Sequence, residues 1–312
     1  KALWKLTIDP GGKTDPEADS FEFCRTKGIV GVGWEFEVPP TAASEVKERY
    51  QEEYEGRYPS GLNAVAKRMD KGDHVWVRRN DTHYVCRVDS HSWYKDGGEW
   101  NRHDIHNVRD ATWKRVPSFL VPGIIRRHLT QRGTGHCITE DPAWVAYSDD
   151  IFRTSLADAP QELDIDVHRI ADHLQERPSR FVFQILDEYE TEDVVGLYLQ
   201  KEKGWHMIKS STHKSQRSIE CKFTRVKDGV RQIAAMQVKS GTSVSLSPAD
   251  YANLAKDNWQ VYLFSTAKNP YKGRDLDGVC CLDMDDIAHF TTNNLQLLPS
   301  ATLLKMEFAT DQ

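Results

Sequence analysis

The stretch RQIAAMQVKSG, residues 231–241, decides how the second half of this chain folds. Its middle is an unbroken apolar and small run, the mark of a buried strand, and it ends at Ser240-Gly241, where small residues leave the backbone accessible. Gln237 and Lys239 stand at that end. Just upstream, RSIECKF (217–223) reads as a second strand carrying Glu220. A carboxylate, a second oxygen ligand and a lysine on adjacent strands are what metal-dependent cleavage of a phosphodiester requires. The carboxylate suits Mg²⁺, which takes hard oxygen ligands, and the lysine can orient or help deprotonate the attacking water. The bland alternative is a cross-strand Glu–Lys pair.

Working outward, SRFVFQILDEYETEDVVGLYLQKEKG (179–204) has helical periodicity over its whole length and stops at Gly204. WHMIKSST (205–212) is a strand candidate, SPADYANLAKDN (247–258) a helix with Ser247-Pro248 at its start, and WQVYLFST (259–266) a strand. DGVCCLDMDDIAHFTTNNL (277–295) pairs a strand with a short helix. Helix, hairpin, helix and strand make an α/β core. Before it, residues 150–180 are acidic and polar, with one helix at 167–175, and read as a connector.

The first part is β-rich. ALWKLTI (2–8) alternates, GIVGVGWEFEV (28–38) is a glycine-punctuated strand, and DHVWVRR (73–79) with HYVCRVDS (83–90) forms a hairpin turning at Asn80-Asp81. ATWKRV (111–116) is a further strand, and residues 44–72 are helical, broken at Pro59 and Gly61. Many short strands with few helices suggest a small barrel.

The bulk properties fit this reading. The chain has 312 residues, enough for two domains, with 39% hydrophobic and 28% charged residues. No apolar run spans a bilayer and no secretory h-region is present. Six cysteines without zinc spacing fit a reduced, cytoplasmic protein, and Cys280-Cys281 suits a buried strand. The net charge is −6, yet residues 201–239 carry ten basic against three acidic residues. That basic stretch surrounds Glu220 and Lys239, and it makes Lys209, Lys214, Arg217 and Lys222 candidate DNA contacts. In the first half, Arg78 and Arg79 are candidates of the same kind. His103, His106, His168 and His173 lack ligand partners at suitable spacing and read as surface histidines.

The C-terminal half resembles the PD-(D/E)xK nucleases, specifically the Mrr-like branch whose lysine sits in a Gln-x-Lys triplet. The resemblance rests on Glu220, on Gln237-Val238-Lys239 and on the order of elements. It implies a restriction-endonuclease-like domain with a mixed central sheet. It implies Mg²⁺, with Mn²⁺ as a substitute, held by Glu220, Gln237, the Val238 carbonyl and a helix acid, Glu192, with Asp193 beside it as the second choice. Lys239 would serve the water. Glu220-Cys221-Lys222 is itself an E-x-K triplet, so Lys222 is a rival for the lysine.

The N-terminal half is similar to the EVE and PUA-like barrels, related to YTH domains. The similarity rests on Trp4, Gly31-Val32-Gly33-Trp34 and Lys71-Gly72-Asp73. It implies that a modified base, turned out of the duplex, is held in an aromatic pocket. Trp34, Phe36, Trp93 and Tyr94 are the candidates; Trp34 and Trp93 fit core and pocket equally well, whereas Trp4, Trp76 and Trp113 are expected in the core.

The expected organisation is therefore α+β overall: a base-reading barrel over residues 1–148, an acidic linker over 149–178 and a nuclease domain over 179–312. The function implied is a modification-dependent DNA endonuclease of antiviral restriction, a type IV or type IIM-like deoxyribonuclease. It would act on double-stranded DNA with modified bases, away from membranes, as a homodimer or a transient dimer. The alternatives are a repair or structure-specific nuclease without modification dependence, and a non-catalytic modified-nucleic-acid-binding protein.

Overall fold

The structure is a computed structural model that describes residues 1–9, 15, 17–154, 165–209 and 219–311. The chain divides into two compact units. One comprises Lys1–Val121, Ile125–Glu162 and Asp311–Gln312; the other comprises Pro122–Ile124 and Leu163–Thr310. Both mix helices and strands, so the fold is α+β.

The first unit holds one mixed sheet. Its strands are β1 (Leu3–Leu6), β2 (Ile29–Val32), β3 (His74–Arg79), β4 (Thr82–Val88), β5 (Trp93–Tyr94), β6 (Asn107–Val116) and β7 (Gly135–Thr139). The order is β2-β6-β4-β3-β1-β7, with β5 paired to β6. Only β1 and β3 run parallel. The expected β3–β4 hairpin is present, and Asn80 takes the left-handed φ of 53° that its turn needs. Helices are more numerous than expected: α1 (Ser20–Lys27), α2 (Val46–Glu53), α3 (Ser60–Asn63), α4 (Glu99–His103), α5 (Gly123–Thr130) and α6 (Pro142–Arg153). In α1 the cause is local and outweighs the short run of apolar residues. Asp19 caps the first turn by accepting from the Glu22 N–H, and Gly28 closes the helix at φ 67°.

Trp4 and Trp76 lie in the core as expected, 2% and 0% exposed. Each has its indole N–H satisfied, Trp4 by Asp73 at 2.7 Å and Trp76 by Ser148 at 3.0 Å. Trp113 packs against the core through Phe21 and donates to the Ile29 carbonyl. All six cysteines are free.

The second unit is built on a sheet of β8 (His206–Ile208), β9 (Cys221–Lys227), β10 (Val230–Lys239), β11 (Gln260–Ser265) and β12 (Val279–Cys281), in the order β12-β11-β10-β9-β8. β10 pairs antiparallel with β9 and parallel with β11, so the sheet is mixed. Asp228 and Gly229, both at positive φ, turn β9 into β10. Around the sheet lie α7 (Val167–Gln175), α8 (Arg180–Ile185), α9 (Glu188–Lys203), α10 (Ala252–Lys256), α11 (Met284–Asn293) and α12 (Ser300–Thr310).

The single long helix expected over 179–204 is two helices. The chain leaves helical geometry at Leu186, and Asp187 starts α9 with a capping box, accepting from the Glu190 N–H while Glu190 accepts from the Asp187 N–H. Gly204, at φ 68°, ends α9 as expected. The stretch read as a linker contains the end of α6, in the first unit, and α7, which packs on α11 and α12 in the second. No helix among the described residues is long and apolar enough to cross a membrane.

Candidate functional site

β10 is central, with neighbours on both sides, and its residues from Ala234 to Val238 are buried. At its end two polar side chains break the apolar run. Alternation along the strand puts Gln237 and Lys239 on one face. Glu220 directly precedes β9, and its backbone N–H donates to the Met236 carbonyl at 2.8 Å, fixing it beside the end of β10. The Gln237 amide donates to the Glu220 carboxylate and, at 3.1 Å, to the Val238 carbonyl. The Lys239 ammonium donates to the same Glu220 oxygen at 3.2 Å. Gln237 is 1% exposed, so its polar end is committed to this cluster.

Glu192 completes the group from α9. Its proton affinity rises from the ordinary 4.5 to about 7, first through burial, then through the negative charge of Glu220, with Lys239 opposing. Asp193 is also raised, through burial and then the charges of Glu190 and Asp187. The two neighbours thus sit in different fields: Glu192 answers to Glu220 and Lys239, Asp193 to the start of its own helix. Lys222 lies with its ammonium 4.8 Å from the centre of the Trp259 ring, whereas Lys239 touches Glu220. The structure therefore brings Glu220, Gln237 and Lys239 into contact, with Glu192 within reach of the charges of Glu220 and Lys239, and sets Lys222 over the Trp259 ring.

Among the described residues no group of three or more His, Cys, Asp or Glu side chains is gathered tightly enough to hold a metal. The cluster at β10 offers two carboxylates, one carboxamide and one backbone carbonyl. These are hard oxygen donors, the set that Mg²⁺ accepts when it keeps several of its waters. The mutual repulsion of Glu192 and Glu220 is what a cation would relieve, so the donor chemistry fits such an ion.

A second concentration of polar chemistry lies in the first unit. A cavity of about 390 Å³ is lined by Asp9, Trp34, Glu35, Tyr54, Asn101 and Asp104, among others. Its wall follows from two glycines in the strand region. A Cβ on Gly31 would meet the Val108 side chain at 2.7 Å, and one on Gly33 would meet the Asp104 carboxylate at 2.6 Å. Glycine at 33 therefore lets Asp104 approach the backbone. Asp104 itself closes α4 with a left-handed φ of 47°, and Trp34 is left-handed at 67°. Asn101 donates to the Glu35 carboxylate, and the Tyr54 hydroxyl donates to the Glu35 carbonyl. Three carboxylates line the space and no lysine or arginine does.

The four aromatic residues expected to form one pocket do not share one. Trp34 lines this cavity. Phe36 is 2% exposed in the core, where it touches Tyr54 and Tyr94, because the left-handed turn at Trp34 sends the next side chains in new directions. Trp93 and Tyr94 are in strand β5, and they line a separate cavity of about 260 Å³ with Thr41, Val46 and Asn107. His106 is 1% exposed, not a surface residue; its ring bonds to the Lys95 carbonyl at 2.9 Å, and it borders the larger cavity. Glu35, Asn101 and Asp104 escaped the sequence reading. The signal for them was the paired glycines of GVGW, which mark a close approach to backbone.

Of the expected phosphate contacts, Arg78 lies 3.5 Å from Asp81 and Arg79 lies 3.1 Å from Asp19, both at the surface. Lys209 follows β8; Lys214 and Arg217 lie outside the described residues.

No protein-family model and no curated protein matches the sequence. Among solved structures, the chain is similar to the DNA modification-dependent restriction endonuclease AspBHI, at 11% identity over 91% of this chain and 80% of that one, with a TM-score of 0.27. It is also similar to the MspJI restriction endonuclease in complex with a 27-mer oligonucleotide, at 12% identity over 100% of this chain and 80% of that one, with a TM-score of 0.26.

Proposed function

We propose that this protein is a metal-dependent DNA endonuclease of modification-dependent restriction, of the PD-(D/E)xK type, with a base-reading first unit and a nuclease second unit. The observation that carries the reading is the gathering of Glu192, Glu220, Gln237 and Lys239 at one end of a buried central strand. Two carboxylates that repel each other, beside an amide and a lysine, make little sense as a device for stability alone.

Mg²⁺, with Mn²⁺ as a substitute, would be held by Glu220, Glu192, the Gln237 carboxamide oxygen and the Val238 carbonyl, and would supply neutralisation of charge developing on the phosphodiester. Gln237 positions Glu220 through its amide, which frees the second carboxylate oxygen to point outward. Lys239, partly exposed beside Glu220, reaches the solvent side of the cluster. From there its ammonium can donate to the attacking water or to a phosphate oxygen.

In the first unit, the 390 Å³ cavity has the size of a small-ligand site. Trp34 and Tyr54 offer stacking surfaces for an extruded base. Glu35 and Asp104 offer acceptors for the amino group on a base edge, and Asn101 offers both donor and acceptor. Cutting both strands of a duplex takes two such nuclease sites, and a second copy of the chain, bound as a homodimer or transiently on DNA, would provide the other.

The test is the variant Lys239→Ala. It should lose Mg²⁺-dependent cleavage of DNA carrying modified bases while keeping DNA binding, and calorimetry should still detect Mg²⁺ binding. Full cleavage by that variant would remove Lys239 from the mechanism and point to Lys222. Equal cleavage of modified and unmodified DNA by the natural protein would remove the base-reading role of the first unit.

A further inference from the structure

β1 and β3 run parallel, with Lys5 opposite Trp76 and Leu6 opposite Val77. Partners in a parallel ladder share a face, as do residues two apart. Lys5, Thr7 and Arg78 therefore lie on the face away from Trp4, Leu6, Val75 and Val77, which pack in the core. Beside them is a cavity of about 320 Å³ lined by Lys5, Leu6, Thr7, Arg78, Asn80, Leu129 and Thr130.

Lys5 is 1% exposed. Its ammonium donates to the carbonyl oxygens of Gln131, at 3.2 Å, and Gly133. An ammonium has three N–H donors, and the third finds no acceptor among the described residues. No carboxylate among them neutralises it either, and burial lowers its proton affinity. A buried charge without a counter-ion is destabilising, and a bound anion would relieve that cost. Arg78 brings a second cation to the same cavity. Its guanidinium bonds to the Asn80 carbonyl and lies 3.5 Å from Asp81, a fully exposed carboxylate.

The two neighbouring cavities differ in sign. Thr7 lines both. On one side of it are three carboxylates and no lysine or arginine; on the other are Lys5 and Arg78 and no carboxylate. A nucleotide has the matching division, with amino and ring N–H donors on its base and negative charge on its phosphate.

We propose that the Lys5–Arg78 cavity is a phosphate-binding site, and that it takes the phosphodiester adjoining a nucleotide whose base occupies the neighbouring acidic cavity. The second clause rests on the base-reading role proposed above; the phosphate site itself does not.

The experiment has two arms. In the first, inorganic phosphate is titrated into the full chain against a chloride control of equal ionic strength, and the imidazole NMR signals of His136 and His128 are followed. His136 faces Lys5 across the β1–β7 ladder, and His128 bonds to His136 at 2.8 Å. Saturable shifts are expected, absent in Lys5→Met and at least tenfold weaker in affinity in Arg78→Gln. Arg78 sits at the surface, so its variant stays folded if Lys5→Met does not. No saturable shift, or shifts unchanged in Arg78→Gln, overturns the site.

In the second arm, a short single strand carrying one methylated base is bound at several salt concentrations. Arg78→Gln should flatten the dependence of log affinity on log salt by about 0.7, one phosphate contact, without altering the preference for the modified base. An unchanged salt dependence beside intact phosphate binding overturns the DNA clause and assigns the site to a free phosphate or nucleotide. Failure of the base-reading role is read separately, as no preference for modified over unmodified strand in the natural protein.

Discussion

Glu192 should make the second unit less stable as pH rises through neutrality, and replacing it by glutamine should remove that loss. The carboxyl is held at about 7 in the folded chain against an ordinary 4.5, by burial and by the charge of Glu220. Below pH 4.5 it is protonated whether the chain is folded or unfolded, and it contributes nothing to pH dependence. Between 4.5 and about 7 the folded state keeps a proton that the unfolded state releases, so stability falls with pH. Above 7 the full penalty is present. At about 1.4 kcal/mol for each tenfold change in proton affinity, the gap caps the effect at about 3 kcal/mol. Screening by the solvent that reaches this partly exposed site reduces the expectation to about 1–2 kcal/mol. The assay is urea unfolding of the full chain, without divalent cations, followed at the indole NMR signal of Trp205, which is buried in the second unit. Glu192→Gln should be more stable than the natural protein at pH 8 and equal to it at pH 4.5. A Glu192→Gln chain that is no more stable at pH 8, or a difference that does not change between the two pH values, would refute the reasoning. Either result would mean that burial and the charge of Glu220 do not raise the proton affinity of Glu192 in the folded chain.

Other consequences follow from single contacts. Gly33→Ala sets a methyl 2.6 Å from the Asp104 carboxylate, so it should lower stability by about 1–3 kcal/mol in thermal unfolding and displace Asp104 in a crystal structure of the variant. Asp73, 3% exposed, accepts from the Ala2 and Asp70 backbone N–H groups and from the Trp4 indole. Asp73→Ala leaves three donors unpaired and should destabilise the first unit by about 2–5 kcal/mol in urea unfolding. Glu190→Ala strands the 1% exposed ammonium of Lys305 without a carboxylate. It should cost about 3–5 kcal/mol, and the double variant with Lys305→Met should recover much of that loss.

Much of the second unit could be read residue by residue, because its signals are local. The apolar run of 231–241, the Pro248 helix start and the Gly204 stop each act over a few neighbours, and β10, the 3₁₀ turn at Pro248 and the end of α9 follow. The break at Leu186-Asp187 was equally local but hidden, since the apolar periodicity continues across it while a capping box starts a new helix. The first unit was harder. Its helices α1, α4 and α5 are short, eight residues or fewer, and their apolar residues also fit strands.

The candidate sites divide along the same line. Glu220, Gln237 and Lys239 could be chosen from sequence because strand alternation and chain order bring them to one edge. Order and pattern alone favour Glu192 over Asp193 and Lys239 over Lys222; the different fields at Glu192 and Asp193 and the seat of Lys222 over Trp259 come from packing. The cavity of Trp34, Glu35, Asn101 and Asp104 joins segments some seventy residues apart through two left-handed residues and a glycine contact. The sequence by itself determined the strands, the turns and the identity of the cluster at β10, because backbone preference and hydrophobic pattern act over a few residues. Only the tertiary structure decided which polar groups meet in a cavity and which charges are left without partners, because burial and electrostatics depend on what the rest of the chain brings within a few ångströms.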